Sequence, residues 1–187
     1  MRSINPIYHH SEQMLFSELE WINKAKENPK HFGPLYKKYY KQIFRYVVQH
    51  VICEETADDV TSQVFLKAIK NIEKYEYRGI PLSSWLYRIA KSEINQSFRD
   101  KRRKREINIK NIHIAIFMEV FSDETKILNR KRLEEALSQL NGLDLQLIEL
   151  RYFEDRPYRE IGEILNISEN NAKVKTYRAI EKLRRLF

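Results

Sequence analysis

The chain has 187 residues with a formal net charge of +8, which allows one medium domain or two small ones and favours polyanionic partners. Its single cysteine, Cys53, excludes an intramolecular disulfide and favours a reducing compartment. It has neither an apolar run of about 18 residues nor the apolar block of a signal peptide, so we expect a cytoplasmic protein.

The first part of the sequence predicts amphipathic helices, because apolar residues recur at helical spacing. We expect them at about residues 11–26, 32–52 and 54–72, and from Trp85 onward. A loop, KYEYRGIPLSS at residues 74–84, precedes the last of them, since Gly79 and Pro81 break the periodicity. The apolar residues predicted to line the second and third helices are Leu35, Tyr36, Tyr39, Ile43, Phe44, Val47, Val60, Val64, Phe65, Ala68 and Ile69.

The helix that begins near Trp85 runs into a strongly basic segment. From Arg99 to Arg105, six of seven residues are basic. Such a segment is typical of a phosphate-contacting surface or of a solvated helix face. Residues 106–129 then show neither a clean helical stripe nor the polarity of a flexible linker, and they predict a linker with apolar patches.

A second helical domain is predicted from Arg130 to the end of the chain. Its first helix is expected to end at Asn141-Gly142, a common helix terminator. A short helix over LDLQLIELRYF follows, and Pro157 can preset the first turn of the next helix. Few glycines and prolines and the repeated helical spacing of apolar residues complete an all-α prediction, with two small helical domains.

The stretch YREIGEILNISENNAKVKTYRAIEKLRR, Tyr158 to Arg185, has helix-turn-helix spacing. Gly162 permits a close approach, Asn166 tolerates a left-handed conformation and Ser168 can cap the second helix. The residues predicted to be buried in that helix are Ala172, Thr176, Ala179 and Leu183, which leaves Lys173, Val174, Tyr177 and Arg178 on another face. That face suits base edges and phosphates in a major groove, although a helical hairpin with a solvated basic face would show similar spacing.

Metal and cofactor sites are not predicted. The five histidines are scattered, and only His50 and Cys53 have a spacing that resembles a metal site. Two ligands do not make a site. Glycine-rich nucleotide loops and paired nucleophile and base residues are also missing from the sequence.

The helix-turn-helix and two stretches upstream of it resemble those of a bacterial RNA polymerase sigma factor of the extracytoplasmic function (ECF) group of the sigma-70 family. LIELRYFEDRPYREIGEILNISENNAKVKTYRA resembles the domain that binds the promoter −35 element. Upstream, ADDVTSQVFLKA resembles the helix that docks on the polymerase, and YRGIPLSSWLYRIAKSEINQSFRDKRRK resembles the part that opens and reads the −10 element. The resemblance covers nearly the full length in the family's order. It implies a region 2-like domain at 1–105, a linker at 106–129 and a region 4-like domain at 130–187.

The resemblance also implies site residues, position by position. At the −35 element, Lys173, Val174, Tyr177 and Arg178 would meet bases, and Lys175 and Ser168 would meet phosphates. The positions that match the docking helix are Asp59, Val60, Ser62, Gln63 and Phe65. The family's usual glutamine position is Ser62 here, with Gln63 one place later, which leaves the local polymerase contact open.

At the −10 element, the family holds a flipped-out base of the non-template strand in the loop before Trp85. Tyr77 and Arg78 would stack on or hydrogen-bond an unpaired base there. The candidates along the following helix are Trp85, Arg88, Lys91, Ser92, Asn95, Arg99 and Arg102. Ser92 and Gln96 stand where relatives often carry asparagine and aspartate, so the base preference is not inherited, and Trp85 is equally compatible with a core position.

The implied function is promoter-specific initiation without bond chemistry. The partners would be core RNA polymerase, duplex and melted promoter DNA, and an anti-sigma protein of the kind that often restrains such factors. A stand-alone, dimeric helix-turn-helix regulator is the alternative, but it gives ADDVTSQVFLKA and the Trp85 helix no role. A sigma-like decoy and an enzyme are weaker alternatives.

Overall fold

A computed structural model describes residues 12–51, 53–100, 132–133 and 135–186, with the backbone alone for residues 12–14, 99 and 100. The chain divides into two compact units, Met1–Asn108 and Ile109–Phe187. The regular elements of the described residues are all helical, as the sequence predicts.

Four α-helices lie in the described residues of the first unit. They are α1 (Glu12–Glu27), α2 (Gly33–His50), α3 (Glu54–Asn71) and α4 (Leu82–Asp100), with 3₁₀ turns at Pro29–Phe32 and Ile72–Lys74. Glu54 and Glu55 lie in the first turn of α3, where the helix dipole favours negative charge. Helix α4 begins three residues before Trp85, so the loop that precedes it is shorter than the sequence indicates.

The core of the first unit lies between α2, α3 and α4, and α1 packs against them. The predicted apolar stripes are largely confirmed, since Leu35, Val47 and Val64 are fully buried. The prediction for Tyr36 was wrong, because its side chain is 41% exposed. Its ring lies 4.8 Å from the ring of Phe65 (centroid to centroid). Tyr36 is therefore the solvent-exposed member of an aromatic cluster formed with Phe32, Tyr40 and Phe65.

In the described residues of the second unit, three further α-helices follow the helical residues 132–133 and 135–138. They are α5 (Gly142–Ile148), which continues into a π-helical turn at Glu149–Phe153, α6 (Tyr158–Leu165) and α7 (Glu169–Leu186). The preceding helix ends just before Asn141-Gly142, as predicted, with its last helical residue at position 138. Asn141 also has a role that the sequence did not indicate. Asn141 is the N-cap of α5, and its side-chain oxygen accepts hydrogen bonds from the backbone N–H groups of Leu143 and Asp144.

A buried arginine fixes the turn that leads into α6. Arg156 is fully buried, and its Nη1 lies 3.3 Å from Oε2 of Glu160. Its backbone carbonyl accepts a hydrogen bond from Nη1 of Arg151 at 3.0 Å. Because buried charges are stable only when paired and hydrogen-bonded, these contacts hold the start of α6 in one orientation.

Candidate nucleic-acid interface

The turn between α6 and α7 has the geometry that a helix-turn-helix needs. Asn166 has φ 56° and ψ 48°, the left-handed conformation expected from the sequence. The N–H of Ile167 donates to the carbonyl of Gly162 at 2.9 Å, and the N–H of Asn166 donates to that of Glu163 at 3.4 Å. This pair of hydrogen bonds is a Schellman motif, which ends α6 sharply.

Ser168 caps the start of α7, as predicted. Its Oγ accepts a hydrogen bond from the backbone N–H of Asn171 at 3.2 Å, which satisfies one of the free donors of the helix. The side chain is also exposed, so it lies at the surface beside the first turn of α7.

Helix α7 presents the predicted outward face. Val174 is 38% and Tyr177 is 55% exposed, and Lys173 and Arg178 are exposed beside them. Among the described residues, no carboxylate forms an ion pair with Lys173 or Arg178, and both side chains are exposed. Lys175 is half-buried. The side chains predicted to be buried are Ala172, Thr176, Ala179 and Leu183, and all four are.

Tyr158 and Arg151, which the sequence analysis did not select, extend this face beside Tyr177. The ring of Tyr158, at the start of α6, lies 6.4 Å from that of Tyr177, and the Arg151 guanidinium lies 4.9 Å from the centre of the Tyr158 ring. Burial raises the pKa of Tyr152 and of Tyr158, while Arg151 opposes the shift. Both phenols therefore remain protonated donors at neutral pH.

Gly162 allows the close approach on which this geometry depends. A Cβ at Gly162 would lie 2.7 Å from the carbonyl oxygen of Ile167 and 3.3 Å from the backbone nitrogen of Glu169. Position 162 therefore requires glycine, because any side chain there would collide with the backbone of the turn and of the start of α7.

Replacing Gly162 by alanine should lower the free energy of unfolding of the second unit by about 1–3 kcal/mol, because a backbone atom cannot rotate out of the way. Urea denaturation followed by circular dichroism measures the loss. Both tryptophans, Trp21 and Trp85, lie in the first unit, so the tryptophan fluorescence transition should not change. Gly142→Ala is the matched control, since nothing lies within 4 Å of its Cβ position. Equal losses in the two variants would contradict the prediction.

In the first unit, several predicted −10 residues line a groove between α3 and α4. Its volume is about 390 Å³, and it is lined by Trp85, Arg88 and Ser92 of α4 together with Asn71 and other residues. Lys67, Lys74 and Arg88 bring positive charge to it, while Glu93 binds Lys67 across the groove (Nζ–Oε1 2.6 Å). Trp85 is half-buried and its ring lies 5.1 Å from that of Tyr75, so it belongs to both the core and the groove wall.

The remaining predicted −10 residues do not line this groove in the described part of the chain. Tyr77 is half-exposed, and the side chain of Arg78 is 60% exposed, with Nη2 3.5 Å from Oε2 of Glu76. Lys91 and Asn95 are half-buried on α4. The Arg99 side chain and Arg102 lie outside the described residues, as does the linker at 106–129.

The residues of α3 that are predicted to bind the polymerase fall into an exposed set and a buried set. Asp59, Ser62 and Gln63 are exposed on one face. Val60 and Phe65 are only 5% and 2% exposed and lie in the core, so they support the helix rather than form its surface. Leu66, which the sequence analysis did not select, is 48% exposed one turn beyond Ser62 and Gln63 and completes the exposed face.

Among the described residues, no group of three or more histidine, cysteine, aspartate and glutamate side chains is arranged to hold a metal ion. The helices in the described ranges are also too short or too polar to cross a membrane.

Comparison with protein families gives two matches, one for each unit. The family description "Sigma-70 region 2" matches residues 35–104, and "Sigma-70, region 4" matches residues 130–183. The first match contains α3, α4 and most of α2, and the second contains α5, α6 and most of α7. The order of the two regions agrees with the order expected from the sequence.

Individual relatives and a solved structure agree with these matches. The ECF RNA polymerase sigma factor BldN of Streptomyces coelicolor is 28% identical over 157 residues, which cover 83% of this chain but only 60% of BldN. The ECF RNA polymerase sigma factor SigM of Bacillus subtilis is 24% identical over 155 residues, covering 82% of this chain and 93% of SigM. CnrH, solved in complex with the cytosolic domain of CnrY, shares the fold, with a TM-score of 0.62, 19% identity and coverage of 90% of this chain and 96% of CnrH. The chain therefore belongs to the ECF group of sigma-70 family RNA polymerase sigma factors, non-enzymatic proteins that direct transcription initiation by RNA polymerase.

Proposed function

We propose that this sigma factor binds core RNA polymerase through α3, reads a −35 element with α7 and a −10 element with the loop before α4, and stabilises the melted strand. The observation that carries the proposal is the exposed face of α7. Its residues Lys173, Val174, Tyr177 and Arg178 project from a helix whose start is fixed by the turn and cap described above. That presentation is what a recognition helix requires in a major groove.

The four outward residues and their neighbours divide by chemistry. Arg178 can donate two hydrogen bonds to a guanine edge, and Val174 can contact a thymine methyl group. Lys175 and Ser168 are assigned to phosphates, together with Arg151 and Tyr158 beside Tyr177. Base contacts would specify the sequence, and phosphate contacts would set the register.

The −10 element is assigned to the groove between α3 and α4 and to the loop before α4. Its cationic rim and the half-buried Trp85 ring suit a single strand, which proteins hold by stacking and by electrostatic attraction. Tyr77 and Arg78 are the loop residues that would capture an unpaired base, as the family resemblance implies. The residues assigned to the strand along α4 and beyond it are Trp85, Arg88, Lys91, Ser92, Asn95, Arg99 and Arg102.

The polymerase contact is assigned to the exposed face of α3, formed by Asp59, Ser62, Gln63 and Leu66. Leu66, 48% exposed, would supply the apolar contact of this surface, and the polar residues around it would form its rim. The burial of Val60 and Phe65 supports a positioning role for them.

The functional division that we propose places polymerase docking and −10 binding in residues 1–105, a linker at 106–129 and −35 binding in residues 130–187. Once one of the two DNA-binding domains is bound, the linker keeps the other at a high effective concentration near its own promoter element. Modest individual affinities can therefore give a stable complex. Such a protein would work in the cytoplasm. A restraining anti-sigma protein is a further proposed partner, since CnrH was solved with a polypeptide bound to it.

Co-elution with sigma-free core polymerase, followed by run-off transcription from fragmented genomic DNA of the host, tests the proposal. A stable complex that initiates at discrete sites would support it and reveal both promoter elements. Specific duplex binding without any complex with core would contradict it.

A further inference from the structure

Helix α1 carries a fully buried carboxylate that joins three helices. Oε1 of Glu18 accepts a hydrogen bond from the backbone N–H of Leu82 at 2.5 Å. Its Oε2 accepts from Nζ of Lys38, also at 2.5 Å, and from the hydroxyl of Tyr39. The region 2 match begins at residue 35, so the family comparison assigns no role to Glu18.

The contact with Leu82 is an N-cap supplied from a distant part of the chain. Leu82 is the first residue of α4, and its N–H is one of the donors that no carbonyl within the helix can satisfy. A carboxylate at this end also meets the positive pole of the helix dipole. Since a buried charge is costly unless it is paired, the Lys38 ammonium completes the arrangement.

Leu82 is also the point where the loop before α4 ends. Within that loop, Tyr75, Ile80 and Pro81 are buried, whereas Tyr77 is half-exposed and Arg78 is exposed. Gly79 has φ 69°, a conformation that costs glycine little. The two candidate base contacts, Tyr77 and Arg78, therefore lie on a short arch at residues 75–81. The C-terminal end of this arch leads into Leu82, whose N–H is bound by Glu18.

We propose that Glu18 is the positioning residue for this arch, so that the identity of the captured −10 base is read accurately only while the bond between Glu18 and Leu82 is intact. The inference rests on the proposed function of the arch. It goes beyond that function because it places a determinant of −10 specificity in α1, outside the residues matched to region 2.

Two variants and one control separate this role from general stabilisation. Glu18→Met keeps the length of the side chain but removes the acceptor, whereas Glu18→Gln keeps a carbonyl oxygen for the Leu82 N–H. Glu20→Gln is the control on the same helix, because Glu20 is exposed and pairs only with Lys24 in the described structure. In each holoenzyme, open-complex yield is compared on the promoter and on derivatives substituted at each −10 position.

The comparison is made at the −10 position where the open-complex yield of the wild-type holoenzyme depends on the base and that of the Arg78→Ala holoenzyme does not. Glu18→Met should reduce discrimination there by about tenfold or more, Glu18→Gln should restore most of it, and Glu20→Gln should match wild type. If Arg78→Ala loses discrimination while Glu18→Met retains it, the inference fails and the proposed role of the arch stands. If wild type discriminates nowhere, or Arg78→Ala alters nothing, the proposed role of the arch fails and this inference fails with it.

Hydrogen exchange in the unmodified protein provides a test that does not depend on whether a variant folds. The amide of Leu82 should exchange as slowly as the amides in the interior of α4, because its hydrogen bond is buried. Fast exchange at Leu82 would overturn the inference on its own. In Glu18→Met, exchange should accelerate at Leu82 and in the arch but not between Leu86 and Ile94.

Discussion

Replacing Asp59 and Leu66 together by alanine is expected to weaken binding to core polymerase by about a hundredfold, because two central contacts of a small interface can contribute about 1–2 kcal/mol each. Both side chains are exposed on α3, so thermal unfolding of the variant should be close to that of wild type. Fluorescence anisotropy of labelled protein titrated with core measures the affinity. DNA contacts made by α7 should be unaffected.

Glu73→Ala is the matched control for this variant. It removes one carboxylate from an exposed position just beyond the end of α3, seven residues past Leu66. The control should bind core like wild type. Retained binding by the Asp59 and Leu66 double variant would place the polymerase contact on another surface.

The choice of residues for that experiment shows where the sequence is insufficient. The sequence favours Phe65 as the partner of Asp59, because both match the docking helix of the family. The structure places Phe65 in an aromatic cluster with Phe32, Tyr36 and Tyr40. Changing Phe65 would therefore disturb the core, and any loss of binding would not identify a contact. Which apolar residue of an amphipathic helix remains exposed depends on the partner helix, and the sequence does not specify that.

Local chemistry explains what the sequence did predict. A left-handed residue, a small residue at a close approach and a capping hydroxyl are requirements of a single turn, so Asn166, Gly162 and Ser168 could be assigned from neighbouring residues alone. Asn141 shows the limit of such signals. The same residue type is compatible with ending one helix or starting the next, and here its side chain caps α5.

Contacts between distant residues account for most of what was missed. Glu18 and Leu82 are 64 residues apart, and Lys67 and Glu93 are 26 apart, yet these pairs fix the start of α4 and bridge the groove. The aromatic pair of Tyr158 and Tyr177 likewise joins two helices across the turn. No periodicity within one helix can reveal such pairs, because each depends on how the helices pack.

Replacing Arg178 by alanine is expected to reduce discrimination at one −35 position by about 1–3 kcal/mol, because a guanidinium on the outward face of α7 can bind one base edge through two hydrogen bonds. Lys175→Ala is the matched comparison on the same helix. A phosphate contact carries no sequence information, so this variant should weaken binding to all −35 sequences alike and lower the magnitude of the slope of log affinity against log salt by about one.

Holoenzyme binding to promoter duplexes substituted at each −35 position, repeated over a series of salt concentrations, distinguishes the two residues. Sequence-dependent loss in Arg178→Ala together with uniform, salt-linked loss in Lys175→Ala would assign base reading to the exposed residue and phosphate contact to the half-buried one. Uniform weakening in Arg178→Ala would instead make Arg178 a phosphate contact. Base recognition would then depend on Lys173, Val174 and Tyr177, of which Tyr177 is 55% exposed and has its ring 6.4 Å from that of Tyr158.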